Sequence, residues 1–448
     1  MNTLSDYAAT LAQNHATSEA LTQDCLARIA DPAGEGQRAF IKVYAESALA
    51  TARASDAARK AGRVRSPLEG IPISIKDLFD IEGEVTRAGS IIEASAPRAD
   101  ADAPAIARLR AAGAILIGRT NMTEFAYGGH GINQHYGTPA NPWDRATGRI
   151  PGGSTSGGAV SVTDGMAAAT IGSDTGGSVR IPAALCGITG FKPTQARVPL
   201  AGAFPLSPTR DSIGPLGVSA RCCILLDQIM AGETVTDLTP LSLRGLKLGV
   251  PKTVLLDGLA PEVAAAFAST LTTLSNAGAI IAEFDFPVLA EEVEGSQRAN
   301  FSAVEAYALH RERLNKHRDL FDRNVAKRLM LGASMLAADY FDLVQLRKHL
   351  IASANKATAQ FDALVAPTLP IIAPTFAEMK TGDAHFFRVN GLLLRNPAPF
   401  NVLDRPCWSL PCHRVGEAPV GLMVIGETMQ DKRLQQIGLA IEATLTRN

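Results

Sequence analysis

Between residues 148 and 178 the chain carries two loops dense in glycine and hydroxyls, GRIPGGSTSGGAVSV and GSDTGGSVR, separated by the apolar stretch MAAATI. In the second loop Ser178 follows Thr175, Gly176 and Gly177, with Arg180 two residues on. Adjacent glycines admit backbone conformations closed to residues with a Cβ, so successive amide N–H groups can turn toward one point. Beside a hydroxyl nucleophile, such a nest would stabilise the oxyanion of an acyl-transfer intermediate.

The more familiar glycine-loop chemistries fail on residue type. PGGSTSGG lacks the lysine and spacing of a GxxxxGK[ST] phosphate loop, and no GxGxxG opens a helix here. Ser178 does not sit in GxSxG, and Ser74 and Lys76 are one residue apart where SxxK needs two.

A serine hydroxyl is a weak nucleophile and needs a base. Of eight histidines, only His130 and His135, in YGGHGINQHYG, lie in a glycine-rich setting, and an ordinary loop or pocket-wall role fits them better than a triad. A lysine can serve instead if burial keeps it neutral near pH 7. Lys76, in GIPISIKDLFDIEG, follows Ile71, Ile73 and Ile75 at alternating positions, which places it on a half-buried strand. Pairing with Asp77 or Asp80 is the plainer account of Lys76 from these residues alone.

The elements around these loops share one grammar, an amphipathic helix stopped by glycine and followed by an apolar strand. In DAPAIARLRAAGAILIG, Pro104 opens the helix, Ile106 and Leu109 mark its apolar face, and Gly113 ends it. PEVAAAFASTLTTLSNAGAIIAEF repeats the plan with Pro261, the stripe Val263, Phe267, Leu271 and Leu274, and Gly278. LKLGVP, DALVAPTLP and PVGLMVIGE read as further buried strands, which together imply an α/β layered fold. The first sixty residues read as helices covering one side, and residues 290 to 350 as a flanking helical region.

With 448 residues, 46% of them hydrophobic, the chain can build a large core. Forty-three basic and 44 acidic side chains leave no broad field to gather nucleic acid or an anionic membrane, so neither partner is expected. The six cysteines are too scattered for a disulfide framework, and Cys407 and Cys412 lack a second pair at zinc spacing, so no metal is expected. With no signal-like start and no membrane-length apolar run, a cytoplasmic location is expected.

GIPISIKD, PGGSTSGGAVSV and GSDTGGSVRIPAALCGITGFKPT together resemble the amidase signature family over most of the chain. Lys76 matches the family lysine, Ser154 the bridging serine held by a cis peptide, and Ser178 the nucleophile 24 residues on. One difference stands out: the family commonly reads GGSSGGS where this chain has GGSTSGG, with Thr155 and Ser156 at the changed positions. The resemblance implies a single α/β/α domain over residues 1–448, with a mixed, twisted sheet of about eleven strands, and a signature core over about residues 66–215.

The resemblance further implies an amidohydrolase that cleaves a small carboxamide to acid and ammonia or amine without a cofactor. Neutral Lys76 would take a proton from Ser154, which relays that of Ser178 to the departing amine. The amides of Thr175, Gly176, Gly177 and Ser178 would form the oxyanion hole, while Asp174 and Arg180 anchor the loop. Phe125, Tyr127 and His130 are candidate substrate contacts. The alternative is the glutaminase component of a tRNA-dependent amidotransferase; GGSTSGG and the short C-terminal region tilt the reading toward an independent enzyme, for which a homodimer stays open.

Overall fold

Pro104 and Pro261 begin the helices Pro104–Ala111 and Pro261–Asn276, where a missing backbone donor costs nothing. Both helices stop ahead of a glycine with positive φ, Gly113 at 99° and Gly278 at 97°. A Cβ on Gly113 would stand 2.5 Å from the Glu69 carboxylate, so the turn there requires glycine for space as well as for conformation. The chain then enters the strands Ile115–Thr120 and Ile280–Phe284, following the helix–glycine–strand grammar.

The computed structural model describes residues 1–446, the side chain of Arg298 excepted. Its strands are β1 (Phe40–Val43), β2 (Pro72–Lys76), β3 (Ile115–Thr120), β4 (Ala169–Asp174), β5 (Thr189–Lys192), β6 (Ser212–Gly217), β7 (Lys247–Pro251), β8 (Ile280–Phe284), β9 (Ala363–Pro367), β10 (Cys407–Pro411) and β11 (Gly421–Ile425). They form one 11-stranded mixed sheet in the order β1, β3, β2, β4, β6, β5, β10, β11, β9, β7, β8. Pairing is parallel from β3 through β2 to β4 and from β9 through β7 to β8, and antiparallel between those groups and at β1.

Alternation along the strands sends apolar residues to both faces of the sheet. On β3, Leu116 joins a cluster with Ile73, Ile75, Ile106 and Leu109, while Ile117 joins Val160 and Val162 of the helix Ser156–Thr163. Both faces are therefore covered by helices, as the α/β/α expectation required. The flanking region after residue 288 is helical, with Val288–Arg298, Phe301–His317, Arg323–Met330 and Ala337–Thr358.

The N-terminal sixty residues depart from the all-helical expectation. Between the helices Ser18–Ala30 and Ala45–Lys60 lies β1, which pairs antiparallel with β3 at the sheet edge. Four residues are too few to display a period of two, so tertiary pairing defines this strand.

The placement of β2 beside β4 matters most for the site. Ser74 and Ile75 lie opposite Thr170 and Ile171 in parallel register, so both strands end at the same edge of the sheet. Lys76 closes β2 there, and Ser173 and Asp174 close β4. The helix Ser156–Thr163 is pinned to β2 by a 2.8 Å hydrogen bond between the Ser74 and Ser161 hydroxyls.

Candidate active site

Lys76 is completely buried, and its neighbours explain its state. Its Nζ donates to Ser154 Oγ at 2.7 Å and to Ser173 Oγ at 2.9 Å. The adjacent acids do not claim it: Asp77 accepts from Arg119 Nε at 2.7 Å, and Asp80 from Thr86 Oγ1 at 2.6 Å. Burial brings its pKa from 10.5 down to about 7, against the pull of Asp174 and Asp211 toward the charged form. An amine in that range exchanges a proton readily at neutral pH.

Ser154 follows a cis peptide bond with Gly153, which agrees with the expectation for that residue. Its carbonyl accepts from the Thr123 amide at 3.2 Å, which ties the first glycine loop to the chain after β3. The next residue joins the two loops directly, because Thr155 Oγ1 donates to the Ser178 carbonyl at 2.6 Å. Thr155 therefore uses its hydroxyl as a cross-strut between the two hydroxyl-rich loops.

The second loop is held by a buried charge assembly. Arg180 meets Asp174 with two nitrogens, Nη2 at 2.9 Å and Nε at 3.0 Å, and both side chains are fully buried. Asn401 Nδ2 donates to Asp174 Oδ1 at 2.8 Å, and Arg180 Nη2 to Asn401 Oδ1 at 2.6 Å. Burial works against the charge of Asp174, yet Arg180, Lys192 and Asn401 hold its carboxyl well below the usual range. Asp174 and Arg180 thus anchor the loop, and Arg180 is not the surface residue that an arginine of this kind is by default.

This anchoring changes the expected oxyanion donors. The Gly177 amide donates to Asp174 Oδ1 at 2.8 Å, so it is committed to the loop. The amides of Thr175, Gly176 and Ser178 have no hydrogen-bond partner among the described residues. Gly177 has a φ of 127°, and a Cβ there would stand 2.7 Å from Pro397, so its glycine identity serves the turn.

A cavity of about 460 Å3 opens over Ser178, Gly176 and Thr175 and is walled by Tyr127, Arg210 and Arg328, among others. Ser178 Oγ makes no hydrogen bond to a described residue, and none joins it to Ser154. Lys76 and Ser154 are thus connected side chain to side chain, and Ser178 meets them through the backbone tie to Thr155. Among the described residues no group of three or more His, Cys, Asp or Glu side chains is placed to hold a metal ion.

The Amidase family model matches residues 20–434 of this chain. The chain belongs to the amidase family. It is 36% identical over 477 residues to the glutamyl-tRNA(Gln) amidotransferase A-subunit of Roseiflexus sp. strain RS-1, covering 98% of this chain and 96% of the relative. A solved amidase superposes with a TM-score of 0.89 at 35% identity, covering 99% of this chain and all of the other. The glutamyl-tRNA(Gln) amidotransferase A-subunit of Thermotoga maritima superposes with a TM-score of 0.75 at 28% identity, covering 95% of this chain and 91% of the other. As a family member this amidase is a hydrolase of carbon–nitrogen amide bonds.

Of the three expected substrate contacts in this amidase, only Tyr127 lines the cavity. Phe125 is instead packed among Phe204, His310 and Phe321, with ring centroids 4.2 to 5.5 Å away. His130 packs at a tilt against the Phe386 ring, with centroids 4.7 Å apart, accepts from the Ile132 amide through Nδ1, and is pushed by burial to a pKa of about 3. Aromatic content in the loop signalled burial at these two positions and not contact with a ligand. His135 pairs with Glu124 at 2.9 Å, so neither histidine of that loop reaches Ser178.

Ser173, Thr155, Asn401, Arg210 and Arg328 were not singled out as site residues from the sequence. Ser173 did stand inside the motif, one residue before Asp174, where the end of a strand beside Lys76 would have placed it. Asn401 and Arg328 come from distant helices and carry no local signal. No helix among the described residues is long and apolar enough to cross a membrane.

Proposed function

We propose that this chain hydrolyses a small carboxamide to its carboxylic acid and ammonia or an amine through an acyl-enzyme on Ser178. The observation that carries the reading is the 2.7 Å contact from a buried Lys76, whose pKa is about 7, to the hydroxyl of Ser154. A lysine that is largely neutral just above pH 7 can take the Ser154 proton, and Ser154 can then take the proton of Ser178 as its Oγ attacks the carbonyl. The Ser154 to Ser178 link closes on substrate, since catalytic hydrogen bonds are often long in the free enzyme and tighten in the Michaelis complex.

Charge that develops on the carbonyl oxygen is met by the amides of Thr175, Gly176 and Ser178, with Gly177 left to the turn. The relay then returns a proton to the leaving amine, and water repeats the sequence to release the acid. Arg180, Asp174 and Asn401 act by holding the loop, at no point exchanging protons with the substrate.

A second reading is favoured by the names of the curated relatives, which are amidotransferase A-subunits. On that reading the amide is that of glutamine and the ammonia passes to a partner protein. Ammonia release by the isolated chain from a panel of small amides, glutamine included, separates the two: turnover of non-glutamine amides without partners supports the first, and activity on glutamine alone the second.

Ser178→Ala is the direct test of the nucleophile. Loss of a serine nucleophile lowers kcat by about a millionfold in a well-studied hydrolase, so ammonia release is expected to fall to background with an unchanged circular dichroism spectrum. Retention of wild-type turnover would sink the assignment.

A further inference from the structure

Glu124 is a fully buried carboxylate with no part in the proton relay. Three donors satisfy it, each from a different stretch of the chain. The Ser90 hydroxyl meets Oε1 at 2.7 Å, His135 Nε2 meets the same oxygen at 2.9 Å, and the Asp322 amide meets Oε2 at 2.7 Å. A buried carboxylate is costly unless it is matched in this way, and the bonds that match Glu124 tie those three stretches to its own.

The residues on either side of Glu124 reach the site. Before it, the Thr123 amide donates to the Ser154 carbonyl at 3.2 Å. After it, Phe125 and Ala126 have φ values of 50° and 59°, a left-handed conformation that residues with a Cβ rarely adopt and that persists only where the surroundings impose it. This bend delivers Ala126, Tyr127 and Gly128 to the wall of the Ser178 cavity. The same segment grips the helix Arg323–Met330 twice: Glu124 takes the amide of Asp322, the residue that caps the helix, and the Tyr127 carbonyl takes Arg328 Nη1 at 3.0 Å on its last turn. The Arg328 guanidinium lies 4.1 Å from the centroid of the Tyr127 ring, and both residues line the cavity.

We propose that Glu124 is a positioning residue for the reaction at Ser178, which holds the Tyr127 and Arg328 wall of the cavity in fixed relation to the Thr123 tie on Ser154. It touches neither the substrate nor the transferred proton, and acts through Thr123, Tyr127 and Asp322. The proposal rests on the reading of Ser178 as the nucleophile with Ser154 as its relay. A misplacement of about 1 Å caused far from the chemistry can cost about a hundredfold in rate, so a residue outside the reaction can still control it.

Glu69 supplies the control: it is a second fully buried glutamate, accepts from Ser55 and Arg65, and lines no part of the Ser178 cavity. Glu124→Gln and Glu69→Gln are both expected to lower the midpoint of thermal unfolding. Only Glu124→Gln is expected to slow the reaction, with kcat/KM for the best amide of the panel down about ten- to a hundredfold, against less than about threefold for Glu69→Gln. KM is expected to rise in Glu124→Gln, which loss of folded protein alone does not cause. The rate at which phenylmethylsulfonyl fluoride modifies Ser178, followed by intact-protein mass spectrometry, should show the same split with no amide present. Equal losses in the two variants would overturn the proposal, as would wild-type kinetics in Glu124→Gln. If Glu124→Gln fails to fold, His135→Ala at the partly exposed edge of the cluster decides: a rise in KM with a several-fold fall in kcat/KM supports the proposal, and wild-type values overturn it.

Hydrogen exchange separates failure of this proposal from failure of the nucleophile assignment. If the wild-type chain hydrolyses no amide and Ser178 is not modified, the reading of Ser178 falls. Faster exchange across residues 123–128 and 322–328 in Glu124→Gln then still supports the hold that Glu124 exerts on the two segments, and unchanged exchange there overturns it.

Discussion

Lys76 and Lys192 are both almost completely buried on strands of the same sheet, and burial lowers the pKa of both. Their surroundings differ in one respect that matters. Lys76 donates to two hydroxyls, of Ser154 and Ser173, whereas Lys192 donates at 2.7 Å to the backbone carbonyl of Pro193. A hydroxyl can accept one proton and release another; a carbonyl can only accept a hydrogen bond. A depressed lysine is therefore not a base by virtue of its pKa alone, and what it touches decides whether the proton has anywhere to go.

The comparison breaks most clearly at Lys76 itself. Lys76→Met, which keeps the volume and removes the amine, is expected to lower kcat by about 10²–10⁴, the usual range for a general base. Steady-state ammonia release checks this, with thermal unfolding as the control for the fold. Wild-type turnover in that variant would leave Lys76 and Lys192 as equals.

A pH profile is the next largest effect. The proposed base is active when neutral, so activity should be present above its pKa of about 7 and fall below it. Each pH unit below that value removes about tenfold of the neutral form, which makes kcat/KM at pH 5 about a hundredfold lower than its plateau. A flat profile from pH 5 to 9 would remove Lys76 from the role of base.

Thr155 sharpens the contrast by testing the brace and not the base. Thr155→Val removes the hydroxyl that donates to the Ser178 carbonyl, and leaving a buried acceptor unmatched costs about 1–3 kcal/mol. If about half of that loss reaches the transition state, kcat falls by about two- to tenfold, while Thr155→Ser retains most of the activity. The two variants differ only if the hydroxyl, and not the methyl, does the work.

Lys192→Met should show the smallest catalytic effect. Losing the donor to Pro193 is expected to lower stability by about 1–3 kcal/mol, yet the midpoint of the pH profile should stay where Lys76 sets it. Urea unfolding and the pH profile of the variant measure the two separately. A shift of that midpoint by a full unit would show that Lys192 is coupled to the catalytic proton.

The layered fold was readable because its helices announce themselves by proline, an apolar stripe and a terminal glycine, as at Pro104 and Gly113 or Pro261 and Gly278. β1 was not, because four residues carry no period. Lys76, Ser154 and Ser178 were found as one group through the resemblance of three motifs; the residues of Lys76 alone pointed instead to an ion pair with Asp77 or Asp80. What excludes that pair is Arg119, brought to Asp77 from β3 and invisible in the local sequence. The substrate contacts were the least legible part, because Phe125 and His130 are distinguished from Tyr127 only by which way each packs. The amides expected as oxyanion donors lay between these cases: the loop that carries them was readable, but the diversion of the Gly177 amide to Asp174 depends on the closed loop.

The Asp174 clamp has a consequence for how the chain comes into being. Domains form as the chain is synthesised from its N-terminus, and Asp174 leaves the ribosome 227 residues before Asn401, the side chain that donates to it. Pro397, whose carbonyl accepts from Arg180 at 2.9 Å, arrives only four residues earlier. A nascent chain that has emitted all of its glycine-rich loops still lacks the parts that lock them. The hydrolytic apparatus is thus assembled only once Pro397 and Asn401 have been made.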